Sequence, residues 1–391
     1  MEFKHEKLLE SAVFSSDGSK VLTASWDNFA NVWDTSGNLL IPLEHKSPVQ
    51  FAIFSETGDH ILTASRDGIA ILWTNEGKPV AQIEHNEIFS SIRFSPDGQT
   101  ILISSRDGSV KLWNLEGTLL REMPKRYGIV YSAVFSPNAQ WILNAYEDGT
   151  AKIWTFKSSI VTDLPHHNAE VNKALFFPDG NTVLTASRDR VLRVWNLQGD
   201  LRNSSVEHKN TITALAISPD GSRILSGSDD QTAKLWKWDG AKLTVLKNLT
   251  LHTGTVTSVA FASDGQQIAT ASEDESIKVW NLEGELISNL KKHNGIVLSA
   301  IFFDGDIQVL TASHDGTSKL WNIHGELLAD LNKHTSPVLS ALFSPDDSRI
   351  VTTSKDGTAK FWLTPPAIFE WLKNADIPRL PQNDTGMPIN K

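Results

Sequence analysis

Cysteine is absent from the 391 residues, which excludes disulfides, thiol catalysis and cysteine-ligated zinc. No run of 18 apolar residues occurs, so no helical membrane span is expected. The start, MEFKHEKLLE, has no apolar core of a secretory signal, and a cytoplasmic protein is expected. Excess positive charge is lacking too. The net charge is −10, which argues against general binding to a nucleic-acid backbone. There is no glycine-rich phosphate loop and no GxSxG elbow. Tyrosine is scarce, at three residues against thirteen tryptophans. With 40% hydrophobic and 21% charged residues, the chain otherwise has an ordinary globular composition.

The tryptophans expose the organisation. An apolar residue followed by Trp recurs with the Trp at 33, 73, 113, 154, 195, 236, 280, 321 and 362. The spacing is 40 to 44 residues, and Trp26, Trp141, Trp238 and Trp371 stand outside it. Each copy reads as four short strands. SALFSPDD (340–347) is a strand ending in a Pro/Asp turn, and RIVTTSKDG is a buried strand ending in a tight turn. TAKFW follows, and GELLADLNKH (325–334) is an outer strand. Asp-Gly pairs suit turns that need positive φ. Even spacing of such runs indicates antiparallel all-β structure.

One four-stranded sheet leaves both faces uncovered, whereas a radial stack of sheets buries them and protects most edges. The nine copies resemble the WD-repeat β-propeller family over about residues 2–364. The resemblance implies one closed ring of nine four-stranded blades in residues 1–364, although propellers usually have four to eight blades. EFKH at the start matches PLEH (42–45), QIEH (82–85) and SVEH (205–208). Residues 1–4 are therefore expected to complete the last blade, with Phe3 in the aliphatic slot. Residues 365–391 form a second unit, in which Ile368, Trp371, Leu372 and Ala375 have the spacing of a short amphipathic helix. Near-identical copies such as LTASRDG and NLEGEL point to recent duplication, which is frequent in bacterial WD-repeat proteins.

Eight copies carry a set of His, Ser, Asp and Trp. The sets are His5/Ser25/Asp27/Trp33, His45/Ser65/Asp67/Trp73, His85/Ser105/Asp107/Trp113 and His167/Ser187/Asp189/Trp195. They continue as His208/Ser228/Asp230/Trp236, His252/Ser272/Asp274/Trp280, His293/Ser313/Asp315/Trp321 and His334/Ser354/Asp356/Trp362. The resemblance implies a structural tetrad, with Asp accepting from His, His linking Ser, and Ser reaching the indole N–H. A hydrolase triad uses the same residue types, but catalysis requires one exposed nucleophile rather than eight buried copies. No catalytic residue, metal or cofactor is expected. The pair His166-His167 lacks a third ligand.

The fourth copy breaks the rule. Arg126 stands in the His slot and Tyr146 in the Ser slot, while Asp148 and Trp154 remain. Arg126 is placed to pair with Asp148. In the family, the turn between second and third strands and the start of the first strand open on the top face. Partner contacts come from there. The resemblance assigns Trp26, Arg66, Arg106 and Arg188 to the slot before the tetrad Asp. Ile88 and Ile129 fall before the first-strand anchor and Tyr131 after it. All three tyrosines (Tyr127, Tyr131, Tyr146) map to the top of the fourth blade, where an aromatic and arginine arc is expected. Blades six and seven turn acidic or small, with Asp229, Glu273, Thr213 and Thr257.

The opposite face carries Asp17, Glu56, Asp59, Asp97, Asp179, Asp220, Asp264, Asp304, Asp306, Asp346 and Asp347. These suit turn chemistry and solubility, and they leave the top less negative than the net charge suggests. The reading is a monomeric, non-enzymatic scaffold holding a protein or peptide, acidic or phosphate-bearing, near blades two to five. A sensor or regulatory subunit of a larger signalling assembly is the second class. A propeller hydrolase or lyase is the third, and the asymmetric constellation it would need is absent from the sequence.

Overall fold

The computed structural model describes residues 1–85, 87–123, 128–155, 161–164, 167–303, 305 and 307–364. The helix expected within 365–391 lies outside them. Among the described residues, 36 strands form nine four-stranded antiparallel sheets. In blade one the strands are Leu9–Phe14, Lys20–Ser25, Phe29–Asp34 and Leu39–Glu44, running from the inside outward.

Burial explains the sequence pattern. A second strand such as Lys20–Ser25 lies between two neighbouring sheets, so five successive residues are buried and no alternation shows. The outer strand Leu39–Glu44 buries only Leu43 and tolerates Pro42 at the edge, where a missing N–H breaks no ladder. The inner strand of every blade carries a β-bulge one residue after its anchor, as between Leu9 and Ser11 or Val130 and Ser132. The turns between second and third strands are left-handed. Gly357 has φ 82°, and a Cβ there would stand 2.7 Å from the Lys7 carbonyl oxygen. Side chain and backbone both favour glycine at that position.

The ring closes as the sequence implied. Glu2–Lys4 pairs antiparallel with Thr358–Leu363, in register Phe3↔Ala359, and supplies the outer strand of blade nine. Nine apolar clusters join consecutive blades, and one of them joins the last blade to the first. In that cluster Phe3 is fully buried against Trp33 and Phe361, with ring centroids 5.3 and 6.1 Å away. Phe361 and Val351 of blade nine pack there with Leu9 and Val21 of blade one.

Phe3→Ala should therefore destabilise the whole ring, by about 3–5 kcal/mol for a buried aromatic. Equilibrium denaturation reads this as a lower midpoint. An unchanged midpoint would place closure elsewhere.

Candidate functional site

Two loops make the top rim of each blade. The residue before the turn Asp donates its backbone N–H to the carbonyl of the residue before the inner-strand anchor. The bonds Trp26→Leu8, Arg66→Pro48, Arg106→Ile88, Glu147→Ile129 and Arg188→Glu170 are each 2.9 Å. This repeated bond brings two of the sequence-derived slots side by side.

The side chains on this frame differ from blade to blade. The Arg66 guanidinium lies 4.4 Å from the centre of the Trp26 ring, and the Trp26 indole N–H donates to Glu10. Arg106 is exposed, Ile88 is 36% exposed and Tyr131 is 38% exposed. Among the described residues, neither Arg66 nor Arg106 forms an ion pair. Arg188, by contrast, is held by Glu170 at 3.3 Å. Ile129 is half-buried, and its N–H donates to the Glu147 carboxylate at 2.9 Å. Tyr127 and Arg126 fall outside the described residues, and so does the Arg126–Asp148 pairing; Asp148 itself is exposed.

The bulged residue has a role that the sequence did not reveal. Asn172, Thr213 and Thr257 each reach the next blade, donating to the carbonyls of Ile212, Val256 and Val297 at 2.6, 2.5 and 2.5 Å. Blades five to eight are thereby sewn together beneath the rim. Tyr131 holds the same position in blade four and stands in solvent instead.

Below the rim lie the hydrogen-bonded sets, and they correct the expected tetrads. The Trp indole N–H does not reach the expected Ser. It donates to a hydroxyl two residues earlier in the second strand, ten before the Trp. Trp33 donates to Thr23, Trp73 to Thr63 and Trp195 to Thr185, at 2.7 to 2.9 Å. Trp236 donates to Ser226 at 2.8 Å and not to Ser228, and Trp280 to Thr270 at 3.0 Å and not to Ser272. Trp321 donates to Thr311 at 3.3 Å, and Trp362 to Thr352 at 3.0 Å. The deeper hydroxyl meets the indole of the adjoining third strand, whereas the Ser lies nearer the rim, at the end of the second strand.

The same hydroxyls meet His Nε2 at 2.7 to 2.8 Å. In six blades His Nδ1 then donates to the turn Asp, as His293 does to Asp315 at 2.8 Å. Burial holds the His5, His167, His208 and His334 imidazoles below their ordinary pKa, so they are neutral and Nε2 accepts.

The expected Ser residues do something else. Ser25, Ser187, Ser228, Ser272, Ser313 and Ser354 donate to a carbonyl of the loop entering the inner strand, at 2.9 to 3.1 Å. Each also accepts the N–H of its turn Asp, at 3.0 to 3.2 Å. They fasten the rim to the sheet and leave the indole to the deeper hydroxyls. Blade two departs again, because His45 Nδ1 meets Ser65 at 3.0 Å rather than Asp67.

Blade three departs further. Ile103 fills the deeper slot and offers no acceptor, so His85 Nε2 meets the Ser109 hydroxyl at 2.7 Å. Ser105 does not bridge His85 to Trp113. Its hydroxyl donates to the Asp107 carboxylate and lies 2.9 Å from the Ser109 hydroxyl. Asp107 also accepts the Ser109 hydroxyl at 2.7 Å and the Ser109 N–H at 3.0 Å. Ser105 and Asp107 thus close a local turn with Ser109 instead of completing a His-to-Trp chain.

A family model described as the IFT122 first beta-propeller matches residues 2–237. The WD domain, G-beta repeat, matches residues 243–281, 284–322 and 325–362. The chain belongs to the WD-repeat β-propeller family. The crystal structure of the computationally designed Ika8 protein superposes with a TM-score of 0.64 at 24% identity. That likeness covers 92% of this chain and 97% of the designed one, and it speaks to the fold alone. No curated protein sequence matches.

Two blades of this WD-repeat propeller lack the indole acceptor. Ile103 takes its place in blade three and Asn144 in blade four, and the Trp113 and Trp154 indole nitrogens are buried without a hydrogen-bond partner. Tyr146 belongs to this disturbed seam and not to the top surface, contrary to the sequence expectation. It is fully buried, between blades three and four, beside Leu102, Val110, Met123, Val130 and Trp154. Its hydroxyl accepts from Asn144 Nδ2 at 3.2 Å. The slot is the last residue of the second strand, paired with Val130, and it points beneath the rim. A larger ring there fills core volume.

On the opposite face Asp17, Asp97, Asp179, Asp220, Asp264 and Asp346 accept turn hydrogen bonds. The Ser15 and Ser218 hydroxyls donate to Asp17 and Asp220 at 2.6 Å, and these bonds hold both carboxyls down at about 2. Asp304 and Asp306 are outside the described residues.

Tyr146→Ala should lower stability by about 3 kcal/mol or more, because it opens a cavity at a seam already short of hydrogen bonds. Urea denaturation measures it. Unchanged stability would return Tyr146 to the surface.

Proposed function

We propose that the protein holds a partner protein or peptide carrying carboxylate or phosphate groups on the top rim of blades one to four. WD-repeat propellers generally serve as protein-interaction scaffolds, and their families are generally non-enzymatic. One observation carries the finer reading. Among the described residues, Arg106 has no ion pair and shares its rim with the exposed Ile88, Arg66 has no ion pair and stacks on Trp26, and Tyr131 is exposed on blade four, whereas the next rim arginine, Arg188, is already engaged by Glu170. Arginine and tyrosine dominate binding hot spots, and an unpaired guanidinium offers two parallel donors to a carboxylate or phosphate. The arc is narrower than the sequence suggested, since Tyr146 is core and Arg188 is occupied.

The test is affinity capture with matched variants. A protein retained by the wild type should be lost by Arg66→Glu/Arg106→Glu. Tyr131→Ala should weaken it about thirtyfold, equivalent to about 2 kcal/mol. Asp220→Lys, on the opposite face, should retain it fully. A double-glutamate variant that binds the captured protein as tightly as the wild type would contradict the reading.

A further inference from the structure

The residue two before the repeat Trp forms a ladder around the ring. It is Lys or Arg in seven blades: Lys111, Lys152, Arg193, Lys234, Lys278, Lys319 and Lys360. Five of these lysines are at most 8% exposed. Their ammonium groups lie between the third and outer strands and are met by the protein's own oxygens. Lys319 reaches Asp330 at 2.7 Å, Lys360 reaches Glu2 at 2.9 Å, and Lys152 pairs with Asp163. In blades five and seven the cation approaches the turn carboxylate itself: Arg193 lies 3.0 Å from Asp189 and Lys278 lies 3.9 Å from Asp274.

Blade two has no such cation. Its ladder residue is Ile71, opposite Gln82. An open pocket of about 570 Å³ occupies this flank, lined by Asn28 and Glu44 of blade one and by His45, Asp67, Ile71 and Gln82. A second departure coincides with it. In six blades the turn Asp takes both the His Nδ1 proton and the N–H of the residue after that His, as Asp315 does from His293 and Asn294. Asp67 takes neither. It accepts the Ser65 hydroxyl at 2.5 Å and the Ile69 N–H at 3.3 Å, and it is exposed. Blade two therefore keeps the carboxylate, frees it from the imidazole, and lacks the internal cation found in seven other blades.

We propose that this pocket receives a primary ammonium group, and that the occupant is a lysine side chain of a partner protein. Glu44 and Asp67 supply two carboxylates against the single ammonium of Lys46, which also borders the pocket. His45 adds no charge, since burial pushes it down to about 4. Ile69 and Ile71 offer an apolar wall for the aliphatic stem of a lysine, and a short free amine would leave that wall bare. Arg66 precedes Asp67 on the rim, so a partner segment carrying both an acid and a lysine meets complementary charge at adjacent points. The pocket reading stands without the rim reading, because its charge and its missing cation belong to the flank.

The test uses the full chain with its isoleucine δ-methyl groups labelled, and it follows Ile69 by NMR. N-acetyl-lysine methylamide should shift that resonance saturably, and N-acetyl-norleucine methylamide should not. Ile71→Lys supplies the cation internally, in a manner that six other blades already accommodate, and should raise Kd by about tenfold or more. Asp67→Asn should weaken the lysine probe in the same direction. Cadaverine should bind more weakly than the lysine probe, and equal or tighter binding would overturn the assignment to a partner chain. A norleucine probe that shifts Ile69 equally, or an Ile71→Lys variant that binds lysine as the wild type does, would overturn the pocket itself.

Discussion

The hydrogen bond from a buried indole N–H to a second-strand hydroxyl is the interaction on which the blades depend. A tryptophan supplies the apolar bulk that fills the gap between two twisted sheets, but it brings a donor that cannot be left dry. The hydroxyl accepts that donor and is free to give its own proton to a neutral imidazole. The imidazole in turn donates its one N–H, on Nδ1, to an ionised carboxylate. Burial costs every member of the chain, and each compensates the next. The network ties the third strand, the second strand, the entering loop and the turn into one unit. The rim of a regular blade is therefore held from beneath, and its side chains are free to vary.

The ring is not uniform in this respect. Seven blades complete the indole bond, and blades five to eight are joined further by the bulged residues Asn172, Thr213 and Thr257. Blades three and four have neither advantage. Ile103 and Asn144 leave two indoles without acceptors, and Tyr131 turns outward where Asn172, Thr213 and Thr257 reach for a neighbour. Arg106 borders this seam, and Arg66 lies one blade away, stacked on Trp26. Other side chains still tie these blades, as Arg93 does to the Ala133 carbonyl at 3.1 Å and Ser132 to the Ala174 carbonyl at 3.4 Å, so the proposed surface lies beside a seam that lacks its indole bonds but not its cross-blade ties. Strain or irregularity at a site of contact is a familiar trade in proteins.

Much of the fold could be read from the residues. The spacing of nine Trp marked the blades, and the match of EFKH to the outer-strand ends placed Phe3 in the last one. Period-two geometry explains the misreading of the tetrad. In a segment such as LTAS, the Thr and the Ser lie on the same side of the strand, and both recur at fixed distance from Trp. The pairing of second and third strands in the folded blade decides that the deeper hydroxyl faces the indole. Tyr146 misled for a related reason. Its slot is adjacent in sequence to the rim position but points to the opposite side of the strand, so proximity to an exposed loop did not mean exposure. The crossing bonds of Asn172, Thr213 and Thr257 depend on the bulge, which leaves no mark in these residue types. The ladder of lysines was visible as letters, but its burial and the departure at Ile71 acquired meaning only with the pocket.

If the indole-centred network sets the rigidity of each blade, amide hydrogen exchange followed by mass spectrometry should resolve it blade by blade in the unliganded protein. Peptides covering 101–113 and 142–154, where the acceptor is missing, should exchange faster than their counterparts at 268–280 and 309–321, where it is present. Local opening reports stability segment by segment, so the comparison needs no partner and no substitution. Equal or slower exchange in blades three and four would contradict the claim that this one hydrogen bond governs how firmly a blade is held.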